Sequence, residues 1–151
     1  MINKFFNSLF IGFVLVLVID FLYFMGLKLN YFDAYGVDEY FNTLFVDNQN
    51  YLIFFLLALI VGYGILYVPF NKFFAKVYLA VLTLFFSMFY APVGKYAGEQ
   101  QFLVENVRFK VGSTAFNGNL IYEGRKFVYI WRTDIDKKVK LEKTKVAIEI
   151  Q

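Results

Sequence analysis

One carboxylate stands inside a long apolar run near the start of the chain. Asp20 lies within the segment from Leu9 to Leu27, whose other residues are all apolar, aromatic or glycine. An acid near the centre of a membrane-inserted helix costs about 2.5–3.5 kcal/mol on insertion scales. The Leu, Ile, Val and Phe side chains of the same run favour insertion by about 4–8 kcal/mol. A membrane helix therefore tolerates Asp20, but insertion gives no reason for its presence.

Two kinds of chemistry would give Asp20 a role. It could be an ion or proton site, or it could accept hydrogen bonds from neighbouring helices and so clasp a bundle together. Thr83 and Ser87 are at matching height and share a helix face, because they are four residues apart. Tyr63 is within reach on an antiparallel helix. The clasp, which includes pairing across an oligomer interface, is the preferred interpretation.

Small residues in a second apolar run predict close helix packing. Ala58 and Gly62 form a small-xxx-small pattern, and Gly64 adds a further notch. Such residues let two helix backbones approach each other in a membrane.

Five lysines cluster near the C-terminus, at positions 137, 138, 140, 143 and 145. Next to a membrane, each could gain about 1 kcal/mol from acidic lipid headgroups, and the cluster could equally contact a protein partner. Nucleic acid is not expected, because no exposed aromatic platform accompanies these lysines. A charged, solvated hairpin is the default interpretation of Lys137, Lys138, Lys140, Lys143 and Lys145.

The composition excludes several classes of enzyme. The chain has no Cys and no His, which removes thiolate nucleophiles, zinc–thiolate sites and histidine bases. No set of general acid, general base and nucleophile is visible in the remaining residues. We expect a non-enzymatic protein without a cofactor or a metal ion.

Three apolar runs predict three transmembrane helices within residues 1–93. The spans cover about 9–27, 51–70 and 73–93, and each is near the length that crosses a bilayer. Little more than Asn71 and Lys72 joins the second span to the third, which requires an antiparallel hairpin. The segment 38–46 has apolar residues at helical spacing and predicts a short helix on the membrane surface; an ordered aromatic loop is the alternative.

Residues 94–151 have the composition of a water-soluble domain, with eleven basic and seven acidic residues. Apolar residues alternate with period two, which predicts five short strands in a meander closed as a small SH3-like or OB-like barrel. Asn117–Gly118 is a strong hairpin signal. Trp131 shares a strand face with Phe127 and Tyr129, so we expect it to be at least partly buried.

The resulting fold class is membrane α + β, with three transmembrane helices before a small all-β domain. The leading function is a non-enzymatic integral membrane protein that anchors the β-domain at the membrane surface to bind a partner within a larger assembly, or a second copy of itself. The alternative is a small subunit of an oligomeric ion or proton channel or transporter that uses Asp20. The sequence carries no specific resemblance to a named family.

The distribution of lysines gives a weak preference for one orientation. Lys4, Lys72 and Lys76 flank one side of the predicted spans, and Lys28 and Lys95 flank the other. Lys and Arg are enriched in cytoplasmic flanks. We expect a bacterial inner membrane or its equivalent, with a cytoplasmic N-terminus and an extracytoplasmic β-domain.

Overall fold

The computed structural model of the protein describes residues 2–149 as a helical region followed by a curled antiparallel sheet. The helices are α1 (Ile2–Leu27, continued by a π-helical turn at Lys28–Phe32), α2 (Phe41–Asn48), α3 (Tyr51–Tyr67), α4 (Asn71–Phe86) and α5 (Ala91–Phe102). The strands are β1 (Val104–Val111), β2 (Thr114–Glu123), β3 (Phe127–Arg132), β4 (Lys137–Glu142) and β5 (Val146–Glu149). Short 3₁₀ turns occupy Ser87–Phe89 and Lys143–Lys145.

The antiparallel helices α1 and α3 are packed backbone to backbone. A side chain at Gly12 would overlap the carbonyl group of Ala58, and a side chain at Gly62 would overlap the carbonyl group of Ser8. Ser8 is buried at this crossing, and its hydroxyl donates a hydrogen bond to the Lys4 carbonyl at 2.8 Å. Small residues on both helices therefore set how closely they approach.

Two prolines end or begin helices where unbroken spans were predicted. α3 ends at Tyr67 rather than at residue 70, because Pro69 disfavours helical geometry in the residue before it. The predicted span 73–93 is also interrupted, since α4 ends at Phe86 and a new helix starts at Ala91 with Pro92 in its first turn. Proline is well placed there, where its missing N–H has no partner to lose.

The helical region extends further than the sequence indicated. Residues 94–102, which were assigned to the β-domain, belong to α5. Gly94 and Gly98 explain this helix, because a side chain at either would overlap Asn30 or Tyr31 of the π-helical turn. α5 is thus a spacer that packs on the end of α1 before the sheet begins.

A short helix forms in the segment predicted as 38–46, but it starts later than residue 38. α2 covers Phe41–Asn48 and meets α3 at an angle of 84°. Asp38 and Glu39, which the predicted segment 38–46 included, lie before the helix and contact the sheet. Asp38 pairs with Lys140 at 3.4 Å, and Glu39 accepts a hydrogen bond from Tyr129 at 3.4 Å.

The five strands form a half-barrel in the order β4-β3-β2-β1-β5. The first four strands meander, as predicted, and β5 returns to pair with β1. The concave face encloses a small core of buried apolar residues, namely Val107, Phe109, Leu120, Val128 and Ile130. Curling brings residues from distant strands together and buries them without a second layer.

The hairpin predicted at Asn117–Gly118 is wrong. These residues lie inside β2, and the chain turns at Gly112–Ser113, where Gly112 has a positive φ of 58°. Gly118 serves another purpose, because a Cβ there would lie 2.7 Å from the Trp131 carbonyl oxygen of the neighbouring strand. The glycine is needed for close strand approach, and the local Asn-Gly signal is overridden.

Substitutions at the two glycines should separate these roles. Gly112→Val should lower the free energy of unfolding by about 1–2 kcal/mol because of its left-handed backbone, whereas Gly112→Asn should be nearly neutral. Gly118→Val should cost about 1–3 kcal/mol through overlap with Trp131. Urea unfolding of the detergent-solubilised chain measures all three. If Gly112→Val leaves the free energy of unfolding unchanged, the position of the turn is contradicted.

A second, larger core joins the sheet to the helices. The Tyr31 hydroxyl donates a buried hydrogen bond of 2.7 Å to the Ile121 carbonyl of β2. Around this bond lie fully or nearly buried residues from the helical region and the sheet: Phe24, Leu27, Phe32, Val37, Leu44, Met88, Tyr122 and Tyr129. Trp131 is partly buried against the same cluster, as predicted. The sheet and the helical region thus share one hydrophobic core.

Polar contacts surround this shared core on α2 and on the segment that precedes it. The Lys138 ammonium donates to the Gly36 carbonyl at 2.7 Å, and Arg125 forms a bidentate pair with Asp47. The Tyr35 hydroxyl donates to Glu99 of α5 at 2.7 Å. Burial, followed by this hydrogen bond to a carboxylate, raises the pKa of Tyr35 to about 12.

Candidate functional site

Asp20 lies where α2 bends into α3. Its carboxylate oxygen Oδ2 accepts a hydrogen bond of 2.8 Å from Nε2 of Gln49, one of the two residues between these helices. The sequence placed Asp20 about 3 Å from the middle of a span, but the acid is level with the start of α3. The difference arises because α1 begins at Ile2 and runs on past the first turn of α3, so Asp20 is near the end of their shared length.

The partners predicted for Asp20 are not brought to it. The Thr83 hydroxyl donates to the Leu79 carbonyl at 2.9 Å, and the Ser87 hydroxyl donates to the Leu84 carbonyl at 2.6 Å. Both bonds remain within α4 and its final turn. Tyr63 is half exposed and lies more than two turns from the start of α3. Sequence reasoning missed Gln49, although the polar run that precedes the second span could have indicated it.

An open polar cleft of about 150 Å³ surrounds the Asp20–Gln49 pair. Its polar lining comes from α1, the α2–α3 bend and α5, and consists of Asp20, Tyr23, Asn48, Gln49, Asn50 and Gln101. The Tyr23 hydroxyl donates to the Gln101 side-chain oxygen across the cleft. Phe24, Ile53, Phe54 and Leu57 form its apolar walls. The cleft thus combines one carboxylate with amide and phenol groups.

Local sequence explains why these groups converge. Asn50 ends the bend by capping α3, since its Oδ1 accepts the Ile53 N–H at 3.1 Å. Asn48 closes α2, and its Nδ2 donates to the Leu44 carbonyl at 2.8 Å and to the Tyr122 hydroxyl at 3.2 Å. The Asn-Gln-Asn sequence therefore stops one helix, starts the next and leaves Gln49 free to face Asp20.

The small residues of α3 lie at two helix contacts. Ala58 and Gly62 face α1, where Gly12 and Ser8 meet them, and Gly64 faces the Phe74 ring of α4. The pattern in α3 was visible in the sequence. Its matching surface, made by Ser8 and Gly12 of α1, was not identified.

The five C-terminal lysines do not form one basic patch. Lys138 and Lys140 contact the segment before α2, at Gly36 and Asp38. Lys143 pairs with Glu123 at 2.6 Å, and Lys145 pairs with Glu142 at 2.7 Å, while Lys137 is exposed. Exposed ion pairs of this kind contribute about 0–1 kcal/mol each, and they lower the net charge that the cluster offers to a partner.

Length and composition allow two helices of the described region to cross a membrane, or three if the bent α2–α3 pair counts as one span. Within residues 2–149, no group of three or more acidic, Cys or His side chains could hold a metal ion. No protein-family profile, curated protein or solved structure matches the chain. The geometry of the cleft and of the shared core therefore carries the functional argument.

Variants of Asp20 should show that its side chain contributes modestly to the free energy of unfolding. Asp20→Asn should change the free energy of unfolding by less than about 0.5 kcal/mol, because an amide oxygen can still accept from Gln49, and Asp20→Leu should cost about 0.5–2 kcal/mol. A double-mutant cycle with Gln49→Ala measures the pair directly, and we expect a coupling of about 0.6 kcal/mol. A coupling of zero would contradict the Asp20–Gln49 contact.

Proposed function

We propose that the chain is a non-enzymatic integral membrane protein that holds its half-barrel at the membrane surface for binding a partner protein. The apolar side chains of α1, α3 and α4 face outward in large number, as expected of surfaces in contact with lipid. No residue of α4 is fully buried within the chain. Such a surface would be unfavourable in water and is well matched to a bilayer or to another transmembrane helix.

The bend at Gln49 supports a position for Asp20 near the surface of the bilayer. If α3 crosses the membrane, an angle of 84° places α2 along the membrane surface. Tyr40 and Tyr51, at the start of α2 and of α3, are exposed at this level, where aromatic rings favour lipid headgroups. Asp20 then lies near the headgroups rather than in the hydrocarbon, which removes most of the insertion cost expected from the sequence.

The preferred orientation places residue 1 in the cytoplasm and the β-domain outside, in a bacterial inner membrane or its equivalent. Lys4 lies over the Tyr67 ring at 5.3 Å, so the start of α1 and the end of α3 are at the same membrane face. Lys72 follows at once, which concentrates positive charge at that face, as the positive-inside rule expects.

The observation that carries the proposal is the shared core around the Tyr31–Ile121 hydrogen bond. It fixes the half-barrel in one orientation above α1, whereas a flexible linker would leave it free. An SH3-like or OB-like barrel remains the proposed form of this sheet, whose strand order is β4-β3-β2-β1-β5. In residues 2–149, β4 and β5 each pair along one edge, and an unpaired edge can accept a strand of a partner.

Photocrosslinking in native membranes tests this function. A photoreactive amino acid at Lys137 on β4 or at Ala147 on β5, both exposed, should give a defined crosslink to one partner protein or to a second copy. The same group at Ser113, in the β1–β2 turn, is the control. If both edges give only lipid adducts while the protein is present at normal levels, the partner-binding function is contradicted.

The alternative, a channel or transporter subunit that uses Asp20, receives less support from this geometry. Asp20 is held by Gln49 at the end of the α1–α3 contact, near the headgroups, rather than midway along a membrane pathway. If Asp20→Asn and Asp20→Leu were equally and severely damaging, with normal protein levels and assembly, the alternative would replace the anchor function.

A further inference from the structure

The cleft at Asp20 carries a net negative charge. Its lining residues, all within the described chain, include one carboxylate and neither Lys nor Arg. The N-terminus of α3 adds a positive partial charge, but a helix end supplies only about half an elementary charge. The uncompensated charge favours a cation as the occupant.

The donor groups match a monovalent ammonium better than a divalent metal. A divalent ion bound by protein usually requires several carboxylates, and this cleft has one. Amide oxygens and the Tyr23 phenol can accept N–H groups beside Asp20. Phe24 and Phe54 also line the cleft, and aromatic rings attract cations.

An apolar groove adjoins the cleft. It has a volume of about 150 Å³ and shares Gln49 and Phe54 with the cleft. The rest of its lining is hydrophobic or aromatic and comes from α1, α2 and α3: Phe13, Leu17, Phe45, Tyr51 and Phe55. A ligand that fills both spaces would have a cationic head and a hydrocarbon chain.

We propose that the cleft and groove bind one membrane lipid whose headgroup ends in a primary ammonium. The ammonium donates hydrogen bonds to Asp20 and to the side-chain oxygen of Gln49, and one acyl chain lies along Phe54 in the groove. This inference rests on the membrane insertion proposed above. It gives Asp20 a purpose, since a carboxylate at headgroup level selects one class of lipid.

Native mass spectrometry of the whole protein tests the site. The protein is mixed with phosphatidylethanolamine or with phosphatidylcholine of identical acyl chains, which keeps the positive charge but has no N–H donor. Because hydrogen bonds to charged groups strengthen binding, we expect the protein to retain phosphatidylethanolamine about 10-fold better than phosphatidylcholine. Asp20→Asn should reduce this preference to about 2-fold, because the charge-assisted bond becomes a neutral one.

Asp136→Asn is the matched control, because it removes the same charge from an exposed turn of the sheet and should leave the preference unchanged. Equal retention of the two lipids by the unaltered protein would overturn the inference. A preference that survives Asp20→Asn would overturn this location. Displacement of the lipid by soluble phosphoethanolamine at equal concentration would overturn the role of the groove.

Carbonate extraction of native membranes that contain the protein distinguishes failure of the lipid site from failure of the proposed membrane insertion. If the protein stays in the membrane and shows no lipid preference, only the lipid site fails. If carbonate releases the protein, membrane insertion fails and the lipid site fails with it.

Discussion

Tyr31→Ala should lower the free energy of unfolding by about 3–5 kcal/mol, the range for deleting a large buried aromatic side chain. Tyr31 is fully buried and contacts the rings of Phe32 and Phe102, with centroids 5.2 and 5.9 Å away. Its loss also leaves the Ile121 carbonyl without the hydroxyl donor. We expect the sheet to separate from the helical region, so that proteases cut between α5 and β1.

Thermal unfolding and limited proteolysis in detergent measure this effect. Tyr31→Phe should cost about 1 kcal/mol, the typical contribution of one hydrogen bond, and should keep the sheet attached. Tyr40→Ala is the control, because Tyr40 is 80% exposed. If Tyr31→Ala and Tyr40→Ala behave alike, the shared core does not hold the sheet.

Gly12→Leu should separate α1 from α3. A side chain at Gly12 meets the backbone of Ala58, which cannot move aside as a flexible side chain can. Overpacking of this kind costs about 1–3 kcal/mol, and a backbone clash lies at the upper end of that range. Because the α1–α3 contact also positions the bend, the Asp20–Gln49 hydrogen bond should weaken in the same variant.

Ala80→Leu is the matched control for Gly12→Leu. Ala80 is a small residue on the exposed face of α4, and added bulk there should change the free energy of unfolding by less than about 0.5 kcal/mol. The melting temperature and the crosslinking of cysteine pairs placed across α1 and α3 report the two effects. An unaltered crosslink in the Gly12→Leu variant would contradict the close packing.

Strong local patterns in the sequence were sufficient to predict much of the fold. The long apolar run near the N-terminus predicted a helix that the structure contains as α1. Period-two alternation predicted five strands, and the structure has a five-stranded antiparallel sheet. Ala58 and Gly62 of α3 were identified as a pair because a helix brings positions four apart onto one face. These features depend on neighbours in sequence, so one chain is enough to find them.

Features set by long-range contacts were missed. Gly118 has the local signature of a turn, yet its position against Trp131 of the next strand decides its role. Residues 94–102 were assigned to the β-domain because the composition changes there to that of a water-soluble domain. In the structure they form most of α5, where Gly94 and Gly98 let Asn30 and Tyr31 pack close to the helix. Propensity is a weak guide wherever tertiary packing overrides it.

The candidate site shows the same limit. Asp20 could be identified because a charge in an apolar run is conspicuous, but its partner depended on the relative height of two helices. That height follows from the Gly12–Ala58 crossing and from the end of α2 at Asn48, which no periodicity indicates. Sequence reasoning therefore found the acid but not Gln49, the neighbour that the fold gives it.

Cysteine labelling in intact cells tests the membrane arrangement most directly. The chain has no Cys, so Asn3→Cys at the start of α1 and Thr133→Cys in the exposed β3–β4 turn each introduce one reactive thiol. We predict that an impermeant maleimide labels the Thr133→Cys variant in intact cells and the Asn3→Cys variant only after the membrane is opened. The reverse pattern would keep three spans and invert the orientation. If both variants are labelled from the same side, the claim that the β-domain and the N-terminus lie on opposite sides of the membrane is contradicted.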